Sequence, residues 1–341
     1  MNEILIPKED LILRHSYKIP SKTYAYEDSE HPLSWQKKCR GKLCELIACD
    51  FSLTKERLVK IHHTTNTEYG VIHSLIMQIN ENLSIPAYFL IPHTIKSQLP
   101  VIAIQGHGYV GGVLGLIDDY HHGFGVDLFR YGYVVLVPEI RGFGNLVDLA
   151  DSIDGHRLVY YCEHTANTLV TDAFIKGYTL ISDTVQDLYA WGNYICEYVK
   201  QQNYYVAGIS YGGDLALILS ALDDRINKTF ASGSLGSMAV IFEKCYNAPA
   251  HCIPNILKYM DRQEIASCIA PRSLCVHYGE LDAPSPKNFS ASYNETAIPA
   301  FEGVKNFYGI MKAPNNIQLV ISPDMKHEMD NSALKSYLQN N

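Results

Sequence analysis

The chain has 341 residues, of which 47% are hydrophobic and 19% charged, a composition typical of a folded globular protein. Its formal net charge of −8 argues against the basic surface that nucleic-acid binding requires, so no nucleic-acid partner is expected. The nine cysteines are odd in number and scattered without a Cys-x-x-Cys pair, a pattern that supports neither a disulfide framework nor a zinc ribbon.

The hydropathy of the chain predicts no membrane partner. No apolar run reaches the roughly 18 residues that a membrane helix needs. Residues 1–22 lack the basic start and long apolar block of a secretory signal. We therefore expect a reduced, cytoplasmic protein, and a homo-oligomer is compatible with this composition.

The first third of the chain predicts a helix followed by antiparallel strands. Residues 32–49 place Trp35, Cys39, Leu43, Leu46 and Ile47 at near-helical spacing after a proline. Two extended runs follow, and a turn at Asn80 to Asn82 separates them. We treat residues 1–55 as an N-terminal helical extension of a single domain that spans residues 1–341.

The pattern changes after Pro100, where short, fully apolar runs alternate with helical stretches. The six runs are PVIAIQ, YVVLVP, YYVAG, KTFASG, SLCVHYG and IQLVIS. Such alternation predicts a mostly parallel sheet with helices on both faces. The expected fold class is therefore α/β, with the antiparallel N-terminal strands added to one side.

The glycine-rich loop after the first of these runs has two interpretations. Gly106, Gly108 and Gly111 match the spacing of a dinucleotide-binding turn, with Glu139 and Arg141 at the end of the next strand to bind a ribose and a phosphate. Alternatively, the loop directs backbone N–H groups inward as half of an oxyanion hole. We favour the oxyanion hole, because Pro138 would interrupt the second strand of a nucleotide-binding unit.

The segment YYVAGISYGGDLALILS places Ser210 between a predicted strand and a predicted helix, as Gly-x-Ser-x-Gly. A serine on such a turn projects its hydroxyl out of the backbone, and the turn is tight enough to require small neighbours. The pattern predicts the nucleophile elbow of an α/β-hydrolase, with Ser210 as the nucleophile. The N–H groups of Tyr211 and Tyr109 are the expected oxyanion donors.

Residues 142–180 and 235–267 are longer than simple crossovers require. We expect both insertions at the carboxyl edge of the sheet, near the active site, where they form a partial lid. Their aromatic residues would shorten the acyl channel. The aromatic residues expected in this role are Tyr160, Tyr161, Phe174, Phe242 and Tyr246.

A serine nucleophile needs a histidine base and a carboxylate to orient it, and this fold supplies them in the order Ser, acid, His. Asp282 follows the run SLCVHYG, and His327 follows the run IQLVIS. No other histidine lies beyond residue 277. The sequence therefore predicts a triad of Ser210, Asp282 and His327.

Other histidine patterns predict no metal site. His327-Glu328 begins a zinc-binding H-E-x-x-H pattern but lacks its second histidine. The adjacent pairs His62-His63 and His121-His122 do not converge on one face of a strand or helix. We therefore expect no metal and no cofactor.

These residues resemble the acetyl xylan esterase-like branch of the α/β-hydrolase superfamily, near the dienelactone hydrolases. The resemblance covers most of the chain, and the elbow and the Ala270-Pro271-Arg272 stretch are its most specific parts. The segments that carry it are residues 34–47, 105–112, 138–144, 162–195 and 253–284. Two positions depart from the branch: Glu139 stands where an aspartate is common, and His327 follows a lysine instead of a glycine.

The resemblance implies a short-acyl, acetyl-esterase-like enzyme acting on a small-molecule ester. It places the acid at Asp282 instead of the competing carboxylate Glu280, and it places His107 and Gly108 in the oxyanion loop, where we expect both to line the substrate pocket with Tyr160 and Tyr161. The serine at the elbow, where dienelactone hydrolases have a cysteine, favours ester chemistry over lactone chemistry.

The sequence is compatible with four functions. The leading hypothesis is a serine carboxylic-ester hydrolase that works through an acyl-enzyme. The alternative is an acyltransferase or thioesterase of a biosynthetic pathway with the same triad. A nucleotide-dependent oxidoreductase and a non-catalytic hydrolase-fold binding protein rank lower, since the first needs a pyrophosphate at Gly106 to Gly111 and the second is expected to lack a triad residue.

Overall fold

A nine-stranded sheet forms the centre of the protein. The computed structural model describes residues 20–54, 57–146, 152–153, 156–157, 162–238, 249–282 and 293–340. The strands of the sheet are β1 (Val59–Asn66), β2 (Gly70–Gln78), β3 (Ser84–Pro92), β4 (Val101–Ile104), β5 (Val135–Pro138), β8 (Tyr204–Ile209), β9 (Ile226–Ser232), β10 (Ser273–Gly279) and β11 (Ile317–Ser322). A separate pair, β6 (Ser152–Ile153) and β7 (His156–Arg157), is antiparallel. The order across the main sheet is β1-β2-β3-β5-β4-β8-β9-β10-β11.

The six apolar runs after Pro100 form the parallel part of the sheet. Strands β5, β4, β8, β9, β10 and β11 pair in parallel in that order. β4 and β5 are buried along their whole length, as expected for strands that helices cover on both faces. The predicted parallel sheet is confirmed.

The antiparallel strands β1, β2 and β3 extend the sheet beyond β5. The predicted turn at Asn80 is present, with its side-chain oxygen accepting from the N–H groups of Asn82 and Leu83. The first extended run also folds back at Thr67, whose hydroxyl accepts from the N–H of Gly70. The sequence pattern indicates one uninterrupted run here, because a serine- or threonine-centred turn carries a weaker signal than a glycine pair.

Helices cover both faces of the sheet. They are α1 (Pro32–Ile47), α2 (Phe124–Tyr131), α3 (Cys162–Lys176), α4 (Leu180–Val199), α5 (Tyr211–Leu222), α6 (Arg262–Ser267), α7 (Tyr293–Ile310) and α8 (Asn331–Gln339). One hydrophobic core contains Trp35 of α1 and Trp191 of α4, and the other contains Phe124 of α2 and Leu334 of α8. This arrangement confirms the predicted α/β-hydrolase fold with helices on both faces.

The described parts of the two insertions meet beside the helix that follows the elbow. Helix α3, from the insertion at 142–180, packs against the short 3₁₀ turn Pro249–His251, from the insertion at 235–267. The same turn packs against α5. Among the described residues, no helix is both long and apolar enough to cross a membrane.

Candidate active site

Ser210 lies on the turn between β8 and α5 with φ 58° and ψ −122°, a conformation that costs free energy for a residue with a Cβ. The flanking glycines make this turn sterically accessible. A Cβ on Gly208 would lie 2.2 Å from the carbonyl oxygen of Gly212, and one on Gly212 would lie 2.4 Å from that of Gln105. The turn is therefore built as the Gly-x-Ser-x-Gly pattern predicts.

Asp282 and His327 are in direct contact. The Nδ1 atom of His327 lies 3.0 Å from both carboxylate oxygens of Asp282. Asp282 follows β10 and is buried, whereas the side chain of His327, in the loop after β11, is 28% exposed. A carboxylate at Nδ1 orients a histidine so that its Nε2 atom can act as the base.

The segment at the end of β9, residues 232–234, contacts both Ser210 and the Asp282–His327 pair. The N–H of Ser210 donates to the carbonyl of Ser232 at 2.9 Å, and the hydroxyl of Ser234 donates to the carbonyl of Ser210 at 2.7 Å. Between them, Gly233 adopts φ 63°, and a Cβ there would lie 2.6 Å from Cε1 of His327. The three predicted triad residues thus border the same short segment, and their roles stay a prediction.

The glycine-rich loop passes directly over the elbow. A Cβ on Gly106 would lie 3.1 Å from the Cβ of Ser210. Gly108 has φ 113° and no atom within 4 Å of a Cβ position, so its backbone conformation, and not a close contact, requires glycine. Tyr109 follows with an extended backbone. Tyr211 is the first residue of α5, where backbone N–H groups lack intrahelical acceptors.

His107, expected in the substrate pocket, is half-buried in an aromatic cluster. Its ring centroid lies 5.2 Å from Phe143, 5.6 Å from Tyr211 and 4.9 Å from His251. Burial, with the charges of His251 and His327, lowers the pKa of His107 well below its usual value. Tyr160 and Tyr161, the other residues expected in the pocket, lie outside the described residues, as do Phe242 and Tyr246; Phe174 of α3 is exposed.

A second aspartate–histidine pair lies under His107, and sequence reasoning missed it. The Nδ1 atom of His251 forms a hydrogen bond with Oδ2 of Asp214, which also accepts from Nη2 of Arg262 at 2.5 Å. All three side chains are buried. Burial alone would raise the pKa of Asp214, but Arg262 and His251 outweigh it and hold that pKa below its usual value. The sequence signal that could have indicated this pair is Asp214 itself, a single charged residue in the otherwise apolar helix α5.

The nucleotide-binding interpretation assigned Glu139 to a ribose and Arg141 to a phosphate. In the structure, both side chains bind other residues of the protein. The Glu139 carboxylate accepts from the backbone N–H and the side-chain amide of Asn145, at 3.0 and 2.6 Å. Nε of Arg141 donates to Asp187 at 2.7 Å, and its Nη1 lies 2.9 Å from Asp183. These contacts support the oxyanion-loop interpretation. Within the described ranges, no cluster of three metal-ligating side chains is found.

Comparisons with known proteins agree with this architecture. The sequence model described as the Abhydrolase family matches residues 18–329. YtaP of Bacillus subtilis (strain 168), whose name describes a hydrolase, is 27% identical over 261 residues, which cover 72% of this chain and 82% of YtaP.

Solved structures with the same fold include esterases of carbohydrate substrates. A Bacteroides fragilis NCTC 9343 protein named as an acetyl xylan esterase aligns with a TM-score of 0.72 at 16% identity, over 91% of this chain and 80% of that one. A glucuronoyl esterase from Solibacter usitatus aligns at 0.60 and 11% identity, over 95% and 97%. Acetyl xylan esterase 1 from Thermoanaerobacterium sp. JW/SL YS485 aligns at 0.55 and 15% identity, over 98% and 97%. The resemblance that the sequence indicated is confirmed by these matches.

Proposed function

Because the chain belongs to the Abhydrolase family, we propose that it is a serine carboxylic-ester hydrolase that works through Ser210, Asp282 and His327. The observation that carries this proposal is the contact of His327 Nδ1 with both Asp282 oxygens, at 3.0 Å, beside the strained turn of Ser210. Nucleophile, base and orienting carboxylate are the three groups that covalent acyl transfer needs.

In the first half of the reaction, Ser210 Oγ attacks the ester carbonyl while Nε2 of His327 removes the hydroxyl proton. The tetrahedral intermediate collapses when the bond to the leaving alcohol breaks, and His327 returns the proton to that alcohol. Asp282 keeps the proton of the neutral imidazole on Nδ1 and stabilises the imidazolium that forms. In the second half, His327 removes a proton from water as the water oxygen attacks the carbonyl carbon of the acyl-enzyme. The bond to Ser210 Oγ then breaks, His327 returns the proton to Oγ, and the acid is released.

The oxyanion of each tetrahedral intermediate is held by the N–H groups of Tyr109 and Tyr211. The glycine-rich loop against Ser210 and the start of α5 immediately after Ser210 support this assignment. Removal of one such donor costs about 3–4 kcal/mol of transition-state stabilisation in related chemistry.

The acyl group that this site accepts is short, with acetyl as the preferred case. His107, Phe143 and Tyr211 fill the space beside the oxyanion loop with packed rings. The turn at His251, from the second insertion, packs against Tyr211, with ring centroids 4.8 Å apart. Bulky side chains at this position leave little room for a long acyl chain.

A fluorophosphonate probe tests the proposed nucleophile without knowledge of the substrate. We expect one label per chain, on Ser210, by intact mass and peptide mapping. Ser210→Ala should abolish both labelling and ester hydrolysis. Ser336→Ala, an exposed serine of α8, serves as the matched control and should label fully. A label at another serine, or unchanged turnover in Ser210→Ala, would refute the proposal.

A further inference from the structure

The tripeptide Asp119-Tyr120-His121 lies between β4 and α2. It contacts the glycine-rich loop after β4 and the loop after β11 that carries His327. The sequence singled out His121 only as one of two adjacent histidines. Its imidazole is completely buried, whereas His122 is exposed. The two neighbours therefore have different environments, and the contacts of the buried one lead to the oxyanion loop.

His121 holds the backbone of Gly106. The Gly106 N–H donates to Nε2 of His121 at 2.9 Å, and Nδ1 of His121 lies 2.9 Å from Oδ1 of Asp119. Because Nε2 accepts, the ring proton is on Nδ1 and is donated to the carboxylate. Burial would raise the pKa of Asp119, but its hydrogen bonds with the side chain and backbone of His121 outweigh this and lower it. The carboxylate thus fixes the tautomer that can accept from Gly106.

Tyr120 connects the oxyanion loop with the loop of His327. Its hydroxyl donates to the carbonyl oxygen of His107 at 2.6 Å. Its ring stacks on that of His327, with centroids 5.8 Å apart and planes inclined by 27°. Its own carbonyl accepts from the N–H of Met329 at 2.9 Å. Burial raises the pKa of Tyr120, so the hydroxyl stays protonated and remains a donor.

These bonds fix two peptide planes of the oxyanion loop. The Gly106 N–H belongs to the plane that joins residues 105 and 106, and the His107 carbonyl belongs to the plane that joins residues 107 and 108. The next plane carries the Tyr109 N–H. The two planes are joined at Gly108, which has φ 113°. With the plane before it fixed, only the two backbone torsions of Gly108 still determine where the Tyr109 N–H points.

We propose that Asp119, Tyr120 and His121 are positioning residues of this site, a clamp that sets the oxyanion loop against Ser210 and supports the ring of His327. The inference rests on the proposed function. The clamp acts through Tyr109 and His327 and touches no reacting atom. Removing it lowers the rate of acyl transfer more than it weakens substrate binding, because oxyanion donors act mainly on the transition state.

Tyr120→Phe tests the clamp because it deletes one hydroxyl and keeps the ring against His327. We expect kcat per fluorophosphonate-labelled site to fall about ten- to a hundredfold on p-nitrophenyl acetate, with KM changed less than about threefold. Tyr131→Phe, which removes a hydroxyl from α2, is the matched control and should retain wild-type kcat. Normalising to labelled sites removes any effect of misfolded protein.

A second pair of variants tests the acceptor at His121. His121→Ala removes the acceptor of the Gly106 N–H, whereas His121→Gln places an amide oxygen near the position of Nε2. We expect His121→Gln to regain at least about tenfold in kcat over His121→Ala. Values of kcat within about twofold of wild type for both Tyr120→Phe and His121→Ala would overturn the clamp while the esterase function stands. A wild-type protein that neither labels nor hydrolyses esters would instead overturn the proposed function.

Discussion

Two of the aspartate–histidine pairs of this site, Asp282–His327 and Asp214–His251, have different surroundings. His327 is partly exposed and contacts both oxygens of a single carboxylate. His251 is 5% exposed, and its carboxylate partner also binds the permanent charge of Arg262. Burial is the main cause that lowers the pKa of His251.

The comparison shows that an aspartate–histidine contact does not define a catalytic pair. A base must gain a proton during turnover, which needs a carboxylate whose charge is free to stabilise the imidazolium. Arg262 already neutralises Asp214, and burial penalises a second positive charge on His251. We therefore propose that His327 takes part in the chemistry and that His251 attaches the second insertion to α5.

The largest effect is expected from a substitution that disrupts the more exposed pair, Asp282–His327. Asp282→Asn should lower kcat by about 10⁴-fold, because an amide cannot hold the catalytic tautomer of His327 or stabilise its charged form. Glu280→Gln is the matched control, since the Glu280 carboxylate accepts from the N–H of Asp324 at 3.2 Å. It should keep kcat within a few-fold of wild type. Steady-state kinetics on an acetyl ester measure both, and the reverse result would move the acid to Glu280.

The second-largest effect is expected from a substitution that disrupts the buried pair, Asp214–His251. Asp214→Asn leaves the Arg262 guanidinium buried without a full counter-charge, so the free energy of unfolding should fall by about 3–5 kcal/mol. Asp183→Asn is the control, because Arg141 keeps its bond to Asp187, and it should cost less than about 1 kcal/mol. Urea unfolding gives both values. If Asp214→Asn loses no stability but loses kcat as Asp282→Asn does, the two assignments must be exchanged.

A smaller effect concerns the acyl channel beside the buried pair. Each methylene that the pocket rejects is worth about 1–3 kcal/mol, so p-nitrophenyl acetate should have a much higher kcat/KM than the octanoate. A kcat/KM that rises through C8 and C10 would show that the insertions leave the channel open. Negligible hydrolysis at every length, with full labelling of Ser210, would favour acyl transfer to another acceptor.

The last expected effect is a loss of stability in acid that arises from buried histidines. Burial lowers the pKa of His251 and lowers that of His277, in β10, to about 4. In the unfolded chain both titrate near about 6.5, so the unfolded state binds more protons below that pH. The free energy of unfolding should therefore fall as the pH drops from about 6.5 towards 4, by roughly 1.4 kcal/mol per unit of pKa difference.

The control for this prediction is His277→Asn, whose amide does not titrate and can replace the bond of Nδ1 with Ser232, one of the two present partners of the imidazole. Urea unfolding at a series of pH values should give a shallower acid slope for the variant than for the wild type. A stability that is constant or rises between pH 7 and 5 would contradict the expectation.

Local patterns determined the parallel sheet, the strand-to-helix turn at Ser210 and the order of the candidate triad residues. Short apolar runs identify buried strands because a strand covered on both faces needs apolar side chains throughout. Gly208 and Gly212 identify the turn because a Cβ at either position would collide with backbone atoms. Asp282 and His327 were accessible to sequence reasoning because each follows a predicted strand closely, and the family resemblance decided between Asp282 and Glu280.

The tertiary structure alone decided which polar side chains meet. Asp214 and His251 are 37 residues apart, and Gly106 and His121 are 15 apart, with no periodicity to relate them. Polar residues in loops carry no hydrophobic pattern, and their contacts depend on how distant segments pack. The physical reason is burial: once packing excludes water, each polar group must find a partner from whatever part of the chain lies next to it.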